Sequence, residues 1–435
     1  MSLGIEKITK KDIGKQKLMH KVLLIGEGGR EAAIAKSLSK NGAKIFAYMS
    51  FVNPGIEKLA EKVEIGPLAD FDKAFHFAKE NNVDFAICGP EAPLVNGIAD
   101  YFEERKIPFV GPKKEVAQIE GSKAFARDLM KRNKIDAYPE FRIVETISEA
   151  EKAIKELKDY VIKPDGLTGG KGVKVFGEHL KSDSDALKYC EQVLAQHRKA
   201  VIEERVDGEE FVLQCFYDGN SIVQMPLVQD HKRALDDDNG ENTGGMGSIS
   251  DSDHLLPFIS KELKEKALEI VKQTMLALEK EKGMKYRGII YGQFMLSRKG
   301  PIIIEYNVRF GDPEAINVLS LLNSDFLNVC YKIIEGNLSP SDVIFQRMAT
   351  TCVYLVPKGY PTNPAKDMPI EVDENKIYEK GVELYYASVK RIGKGLYTTS
   401  SRSIALLAKG ESIYEASEKC YSVVNHVKGE LHYRR

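Results

Sequence analysis

Within ten residues near position 310 the chain gathers groups that suit phosphate and metal chemistry. Glu305, Asn307, Arg309, Asp312 and Glu314 follow three isoleucines at 302–304. In an extended strand alternate side chains share a face, so Glu305 and Asn307 point the same way. A carboxylate and an amide oxygen on one face form a hard-oxygen half-site. Such a half-site suits Mg²⁺ or Mn²⁺, with water and phosphate oxygens completing the shell. Arg309 falls on the same face if the strand continues, and it is a permanent cation suited to phosphate. The alternative is a strand end with a solvated polar turn. So dense a polar run behind three isoleucines favours a ligand.

Two further stretches carry charge toward such a site. Lys163-Pro164-Asp165-Gly166-Leu167-Thr168-Gly169-Gly170-Lys171-Gly172 holds four glycines and two lysines in ten residues. With strands on either side, it describes a flexible loop over phosphates: glycines admit oxygens to the backbone N–H groups and lysines supply charge. The spacing is not that of a P-loop, and a plain hairpin loop is the alternative. Gln229-Asp230-His231-Lys232-Arg233 then leads into an acidic and glycine-rich run to Gly247. A loop this long without periodicity predicts a substrate loop, against a disordered excursion. His231 has no serine or cysteine nucleophile to serve. Gln293, on a strand over 287–296 antiparallel to the isoleucine strand, falls beside the metal position. It offers an amide where a carboxylate would make a second strong ligand.

The elements that must position these groups begin with alternating β and α segments. Strands are expected at 20–25, 43–49, 63–65, 84–88 and 108–110, with helices near 32–40, 70–81 and 95–106. That alternation predicts a parallel, doubly wound sheet. Its first turn, Gly26-Glu27-Gly28-Gly29-Arg30-Glu31, sits where such folds bind anions on helix N–H groups. A dinucleotide site is disfavoured, because Glu31 stands where Gly or Ala is needed and the second strand ends Met49-Ser50. A phosphate or small-ligand site and a structural tight turn both remain. The loop Gly89-Pro90-Glu91-Ala92-Pro93-Leu94 would face the same crevice. A new helix near 120 marks a boundary. Strands at 141–144, 160–163 and 200–206 around a helix at 148–158 suggest a small lid. The strand ending Glu203-Glu204-Arg205-Val206, with Glu210 after it, suits an adenine and a ribose, or equally a solvated hairpin. A helix over 260–282 precedes the 287–296 strand, and the last 85 or so residues read as a small α+β unit.

Composition bounds the rest. The chain has 435 residues, 43 % hydrophobic and 29 % charged, with a formal net charge of −1. That length predicts two to four domains, and the charge argues against nucleic acid as partner. No apolar run reaches the length of a membrane span. Six cysteines without CxxC spacing read as reduced core thiols, which predicts a cytoplasmic protein. Residues 1–18 are lysine-rich without the apolar centre of a signal peptide, and are expected to be a mobile basic extension. Met19 would then be a functional start.

Taken together, Gly28-Gly29-Arg30-Glu31, 89–94, 120–125, 165–173, 207–210, Gln229 to Arg233, Asn242 to Gly247 and Arg309-Phe310-Gly311-Asp312-Pro313-Glu314 resemble the ATP-grasp superfamily. Within it they are most similar to the phosphoribosylamine–glycine ligase family. The resemblance spans roughly residues 20 to 330. It implies an α/β and α+β multidomain fold: an N-terminal Rossmann-like parallel sheet (19–120), an ATP-grasp core with a mobile lid (121–345, lid about 141–206) and a small C-terminal α+β domain (346–435). The implied reaction is ATP-dependent ligation of glycine to 5-phosphoribosylamine through glycyl phosphate, a step of purine biosynthesis. Other readings are another ATP-grasp carboxylate–amine ligase, or a nucleotide-binding regulator without turnover.

The resemblance also implies roles. Glu305 and Asn307 hold Mg²⁺ or Mn²⁺. Lys123, Lys163 and Lys171 meet ATP phosphates, with Lys171 on the lid. Glu203, Glu204, Arg205 and Val206 line the adenine, and Glu210 takes the ribose. Arg309 stabilises the transferring phosphoryl group. Asp230 takes the glycine ammonium, with Lys232, Arg233, Asp312 and Glu314 nearby. Gly29, Arg30, Glu31 and Glu91 hold phosphoribosylamine. A monomer or weak homo-oligomer is expected. The chain departs from the family pattern at Pro164, Thr168 and Gly169, and at Ala387-Ser388-Val389 and Ser400-Ser401-Arg402, where relatives carry Ala-Gly-Thr and Gly-Gly-Arg.

Overall fold

Five parallel strands open the fold. They run in the order Ala60–Ile65, Lys44–Met49, Lys21–Ile25, Phe85–Cys88 and Phe109–Val110. The central strand Lys-Val-Leu-Leu-Ile is buried on both faces after its first residue, as expected of a strand covered by helices on each side. The computed structural model describes residues 20–169 and 172–435. The basic extension expected at 1–18 and the lid residue Lys171 lie outside the described residues.

Helix Gly29–Lys40 starts three residues earlier than the sequence suggests. Glu31 explains this: its Oε2 accepts from the Gly28 N–H at 2.5 Å, so the helix start is satisfied by the helix's own third residue. The loop expected at 89–94 is instead a short helix, Glu91–Val95. Pro93 sits in its first turn, where no N–H is needed.

Strand Gly300–Asn307, which carries Glu305 and Asn307, lies at the edge of an antiparallel sheet ordered Ile222–Gln224, Glu209–Tyr217, Gly288–Ser297, Gly300–Asn307. Its register pairs Gln293 with Glu305 and Tyr291 with Asn307. The strand ends at Asn307, so Arg309 reaches the site from a bend rather than from a continuing strand. A separate antiparallel sheet, Phe141–Val144, Ala200–Glu204, Tyr160–Pro164 and Lys174–Val175, forms the lid with helices Ile147–Leu157 and Asp183–His197. It encloses its own apolar cluster around Tyr160, Ile162 and Ile202.

The long loop expected after Arg233 is ordered as a hairpin, Arg233–Leu235 with Asn239–Asn242. At its tip Asp237 and Asp238 take positive φ of 57° and 54°, a conformation aspartate tolerates better than most residues. The C-terminal sheet also reaches further than expected. Its order is Gln229–Asp230, Gly247–Ser250, Ala349–Pro357, Ile404–Gly410, Glu383–Tyr386. Two strands of the substrate loop thus belong to it, and the sheet crosses the boundary expected near 345. All six cysteines are buried and unpaired. Among the described residues, no helix is long and apolar enough to cross a membrane.

Candidate active site

A cleft of about 850 Å³ opens between the lid, the antiparallel sheet and the N-terminal sheet. It brings together Lys123, Lys163, Glu203, Glu204, Arg205, Val206, Glu210, Asp230, Lys232, Arg233, Glu305, Asn307, Arg309, Asp312 and Glu314, with Arg30 and Glu91 at one end. Gly29 and Glu31 line a neighbouring cavity of about 200 Å³, which shares Arg30, Asp312 and Arg402 with the cleft.

At the end of strand Gly300–Asn307, Asn307 Nδ2 donates to Glu305 Oε1 at 3.3 Å, and Arg309 Nη2 donates to Asn307 Oδ1 at 2.8 Å. Burial works to raise the Glu305 carboxyl, but Lys232, Lys123 and Lys163 outweigh it and hold it below the usual range. An ionised carboxylate beside an amide fits a hard divalent cation. Rotating the Asn307 amide by about half a turn would aim Oδ1 at the ion instead of at Arg309. Gln293 Nε2 donates to Glu210 Oε2 at 3.0 Å, which leaves its neutral amide oxygen as all it could offer a cation.

Glu210 also accepts from Lys232 Nζ at 2.9 Å, again on Oε2. Burial opposes the Lys232 charge, yet Glu210, Asp230 and Glu305 together raise its pKa above the ordinary lysine value. Deeper in, Glu203 takes three contacts: Arg127 Nε at 2.6 Å and Nη2 at 3.2 Å, and Lys163 Nζ at 2.6 Å. Burial would raise the Glu203 carboxyl, but these two cations pull it down to about 2. Its side chain is therefore committed to the protein, and an adenine would meet this strand through its backbone. Lys123 opens helix Lys123–Arg132, and its Nζ donates to the Gly166 carbonyl at 2.9 Å. Asp165 accepts from Ser122 Oγ and from the Ala124 N–H, so the glycine loop starts from a helix cap. Gly166, Gly169 and Gly172 all have positive φ, which is why the loop needs glycine there.

The substrate end is built from carboxylates. Asp230 is half-buried in the cleft wall, and its buried Oδ1 has no hydrogen-bond partner. Burial and the nearby Glu314 carboxylate push its pKa well above the ordinary value, with Lys232 and Arg402 pulling the other way. Glu314 accepts from the Tyr291 hydroxyl at 2.9 Å. Arg233 turns away from this pocket: its Nη2 lies 2.6 Å from Glu178 Oε2 on the lid and its Nη1 donates to the Gly240 carbonyl. Glu204 accepts from the Glu140 N–H, and Arg205 pairs with Glu178.

At the first glycine turn, Arg30 Nε donates to Glu31 Oε1 at 2.6 Å and the Arg30 N–H donates to Asp312 Oδ2 at 3.3 Å. The anion position at this helix start is thus partly filled by the chain's own carboxylates. Gly29 has to be glycine, since a Cβ there would overlap the Tyr354 hydroxyl.

Several residues to which the sequence reading gave no role stand here. Tyr354 donates to Asp312 Oδ1 at 2.5 Å, and Arg402 Nη1 donates to the carbonyls of Gly245 and Asp312 at 3.1 and 2.7 Å. Arg127, Tyr291 and Glu120 belong with them. Burial pushes the Glu120 carboxyl up to about 7, against the pull of Arg309. For Arg402, the Ser400-Ser401-Arg402 run at the place of the family's Gly-Gly-Arg was the available signal. Tyr291 and Tyr354 are polar-tipped residues on apolar strands, and Arg127 and Glu120 sit on helices whose other charges give no sign of which one turns inward.

A lid sheet facing an antiparallel sheet, with lysines and a metal half-site between them, defines an ATP-grasp ligase. Sequence families agree: the Phosphoribosylglycinamide synthetase N domain matches residues 20–120, the ATP-grasp (A) domain 121–315 and the C domain 350–435. The chain belongs to the phosphoribosylamine–glycine ligase family. It is 48 % identical over 418 residues to the phosphoribosylamine–glycine ligase of Pyrococcus furiosus, covering 96 % of this chain and 94 % of the relative. It is 45 % identical over 416 residues to that of Methanocella arvoryzae, covering 95 % of each. The crystal structure of the Thermotoga maritima phosphoribosylamine–glycine ligase superposes with a TM-score of 0.81 at 30 % identity, covering 95 % of this chain and 99 % of that one. The biotin carboxylase domain of the Hydrogenobacter thermophilus 2-oxoglutarate carboxylase, in complex with MgADP, ADP and bicarbonate, shares the fold. Its TM-score is 0.73 at 17 % identity, covering 94 % of this chain and 90 % of that one.

Proposed function

We propose that this chain ligates glycine to 5-phosphoribosylamine with ATP, giving glycinamide ribonucleotide, ADP and phosphate, as the names of its relatives suggest. The observation that carries this reading is the Asp230–Glu314 pair, with the Asp230 Oδ1 buried and unpartnered, in one cleft with Arg309 and Glu305. Two mutually repelling carboxylates, one with an unpartnered oxygen, suit an ammonium group. Arg309 next to them suits the carboxylate and phosphoryl oxygens that react.

A glycine carboxylate oxygen attacks the γ-phosphorus of ATP and ADP leaves. The amine then attacks the acyl carbon and phosphate leaves. Lys123 and Lys163 meet the ATP phosphates, joined by Lys171 from the lid. Glu203 to Val206 line the adenine, and Glu210, whose protein contacts fall on one oxygen, offers the other to the ribose. Phosphoryl transfer needs positioning and charge more than a covalent nucleophile. Glu305 and Asn307 are the residues that would hold Mg²⁺ or Mn²⁺, which supplies charge neutralisation between the phosphates. Arg309 stabilises charge on the transferring phosphoryl group, Asp230 holds the glycine ammonium, and Lys232 keeps Glu210 and Asp230 oriented. Phosphoribosylamine occupies the smaller cavity at Gly29, Arg30 and Glu31, with Glu91, Asp312 and Glu314 at its reactive end. Arg233 contributes by tying the substrate hairpin to the lid.

We take the chain as domains 19–120, 121–345 and 346–435, acting as a monomer or weak homo-oligomer on small molecules, not on nucleic acid or membranes. The six buried thiols support a reducing, cytoplasmic setting. ADP release tests the reaction: glycine and phosphoribosylamine should each be required, and ADP formed with bicarbonate in place of glycine would overturn it.

A further inference from the structure

Arg309 is held from two sides by carboxylates, Glu120 and Glu91, and only Glu91 has a place in the proposed reaction. Glu120 Oε1 lies 3.3 Å from Nη2, and Glu91 Oε2 lies 3.5 Å from Nε. The Tyr291 ring flanks the guanidinium, its centroid 5.8 Å from Cζ. Of the two acids Glu120 is the more deeply placed, with its side chain 6 % exposed against 27 % for Glu91.

Glu120 also makes a contact that Glu91 does not. The Val308 N–H donates to its Oε2 at 2.6 Å. One carboxylate therefore grips the chain twice, once on the backbone between Asn307 and Arg309 and once on the Arg309 side chain. It does so where strand Gly300–Asn307 has ended and no ladder hydrogen bond fixes the direction of the chain. Glu120 itself comes from the last turn of helix Lys114–Gly121, so the grip runs from the first part of the chain to the catalytic bend.

We infer that Glu120 is a positioning residue for the ligation, aiming the Arg309 guanidinium and the Asn307–Arg309 bend at the reacting phosphoryl group. Stability alone does not account for it. A buried ion pair generally adds little over an apolar pair of the same volume. What the double grip supplies is geometry: Nη2 is fixed by Glu120 and by Asn307, and the bend that carries Arg309 is fixed with it through the Val308 N–H. The inference rests on the proposed phosphoryl-transfer role of Arg309.

A double-mutant cycle tests it. Glu120→Gln keeps the volume and can still accept from the Val308 N–H, but it loses the charge that orients Arg309. It is expected to lower kcat tenfold or more, with the KM for ATP within twofold of wild type. In an Arg309→Lys background, where the forked group is gone, Glu120→Gln should change kcat less than twofold. An equal loss in both backgrounds, or a loss under twofold in the wild type, would overturn the inference. Should Glu120→Gln not fold, Glu120→Asp carries the same cycle, because its shortened side chain cannot span both contacts. ADP release is read with whichever carboxylate and amine the unmodified chain turns over. A wrong substrate assignment thus shows in the unmodified chain alone and leaves the cycle readable.

Discussion

Arg402, just before the C-terminal strand Ile404–Gly410, donates to the backbone carbonyl of Asp312 at 2.7 Å and lies 3.4 Å from the Asp312 carboxylate. The same guanidinium holds the carbonyls of Gly244 and Gly245. One side chain therefore fixes the substrate loop against the Arg309-to-Glu314 segment. Charged donors of this kind each contribute on the order of 1.5–3 kcal/mol. Arg402→Ala is expected to lower kcat/KM for phosphoribosylamine by about tenfold to a hundredfold while the KM for ATP stays near its starting value. Steady-state kinetics with each substrate varied checks this; an equal rise in both KM values would mean that Arg402 supports the fold at large.

Glu305 is held ionised by three lysines despite its burial. Glu305→Gln keeps the shape and removes the charge. The Mg²⁺ concentration for half-maximal rate should rise by about tenfold or more, on the scale seen when groups around a bound metal are altered. A titration of rate against Mg²⁺ that matches wild type would remove Glu305 from the metal position.

Glu203 ties Arg127 and Lys163 together in the floor of the cleft. Removing its charge leaves two buried cations without a partner, and breaking such a network costs about 3–5 kcal/mol. The pH dependence follows from the sign of the shift. In the folded chain the carboxyl sits at about 2, below the ordinary 4.5. Its stabilisation is therefore fully present above pH 4.5 and is lost as pH falls through 2. Denaturant melts of wild type and Glu203→Gln should differ most at neutral pH and converge toward pH 2. A gap that stays constant over that range would contradict the account.

Much of this site is legible in the sequence because strand periodicity is local. Two-residue alternation alone puts Glu305 and Asn307 on one face, and the antiparallel pairing with 287–296 brings Gln293 opposite Glu305. What local pattern cannot carry is contact between distant segments. Arg402 meets Asp312 across 90 residues and Glu120 meets Val308 across 188, and nothing in the spacing of either announces it. Glu210 shows the same limit in another form. Its position after the adenine strand is readable, whereas its hydrogen bonds to Lys232 and Gln293 depend on how three strands meet. The hairpin after Arg233 reads as a loop because its strands are short and polar, and it is held by backbone pairing rather than by an apolar face.

The central claim is that the glycine carboxylate is phosphorylated before the amine arrives. In that sequence the departing phosphate carries away one oxygen that began on glycine. Turnover with glycine labelled by ¹⁸O in both carboxylate oxygens, followed by mass spectrometry of the released phosphate, tests this directly. The account predicts one ¹⁸O in each phosphate formed, and phosphate free of ¹⁸O would contradict it.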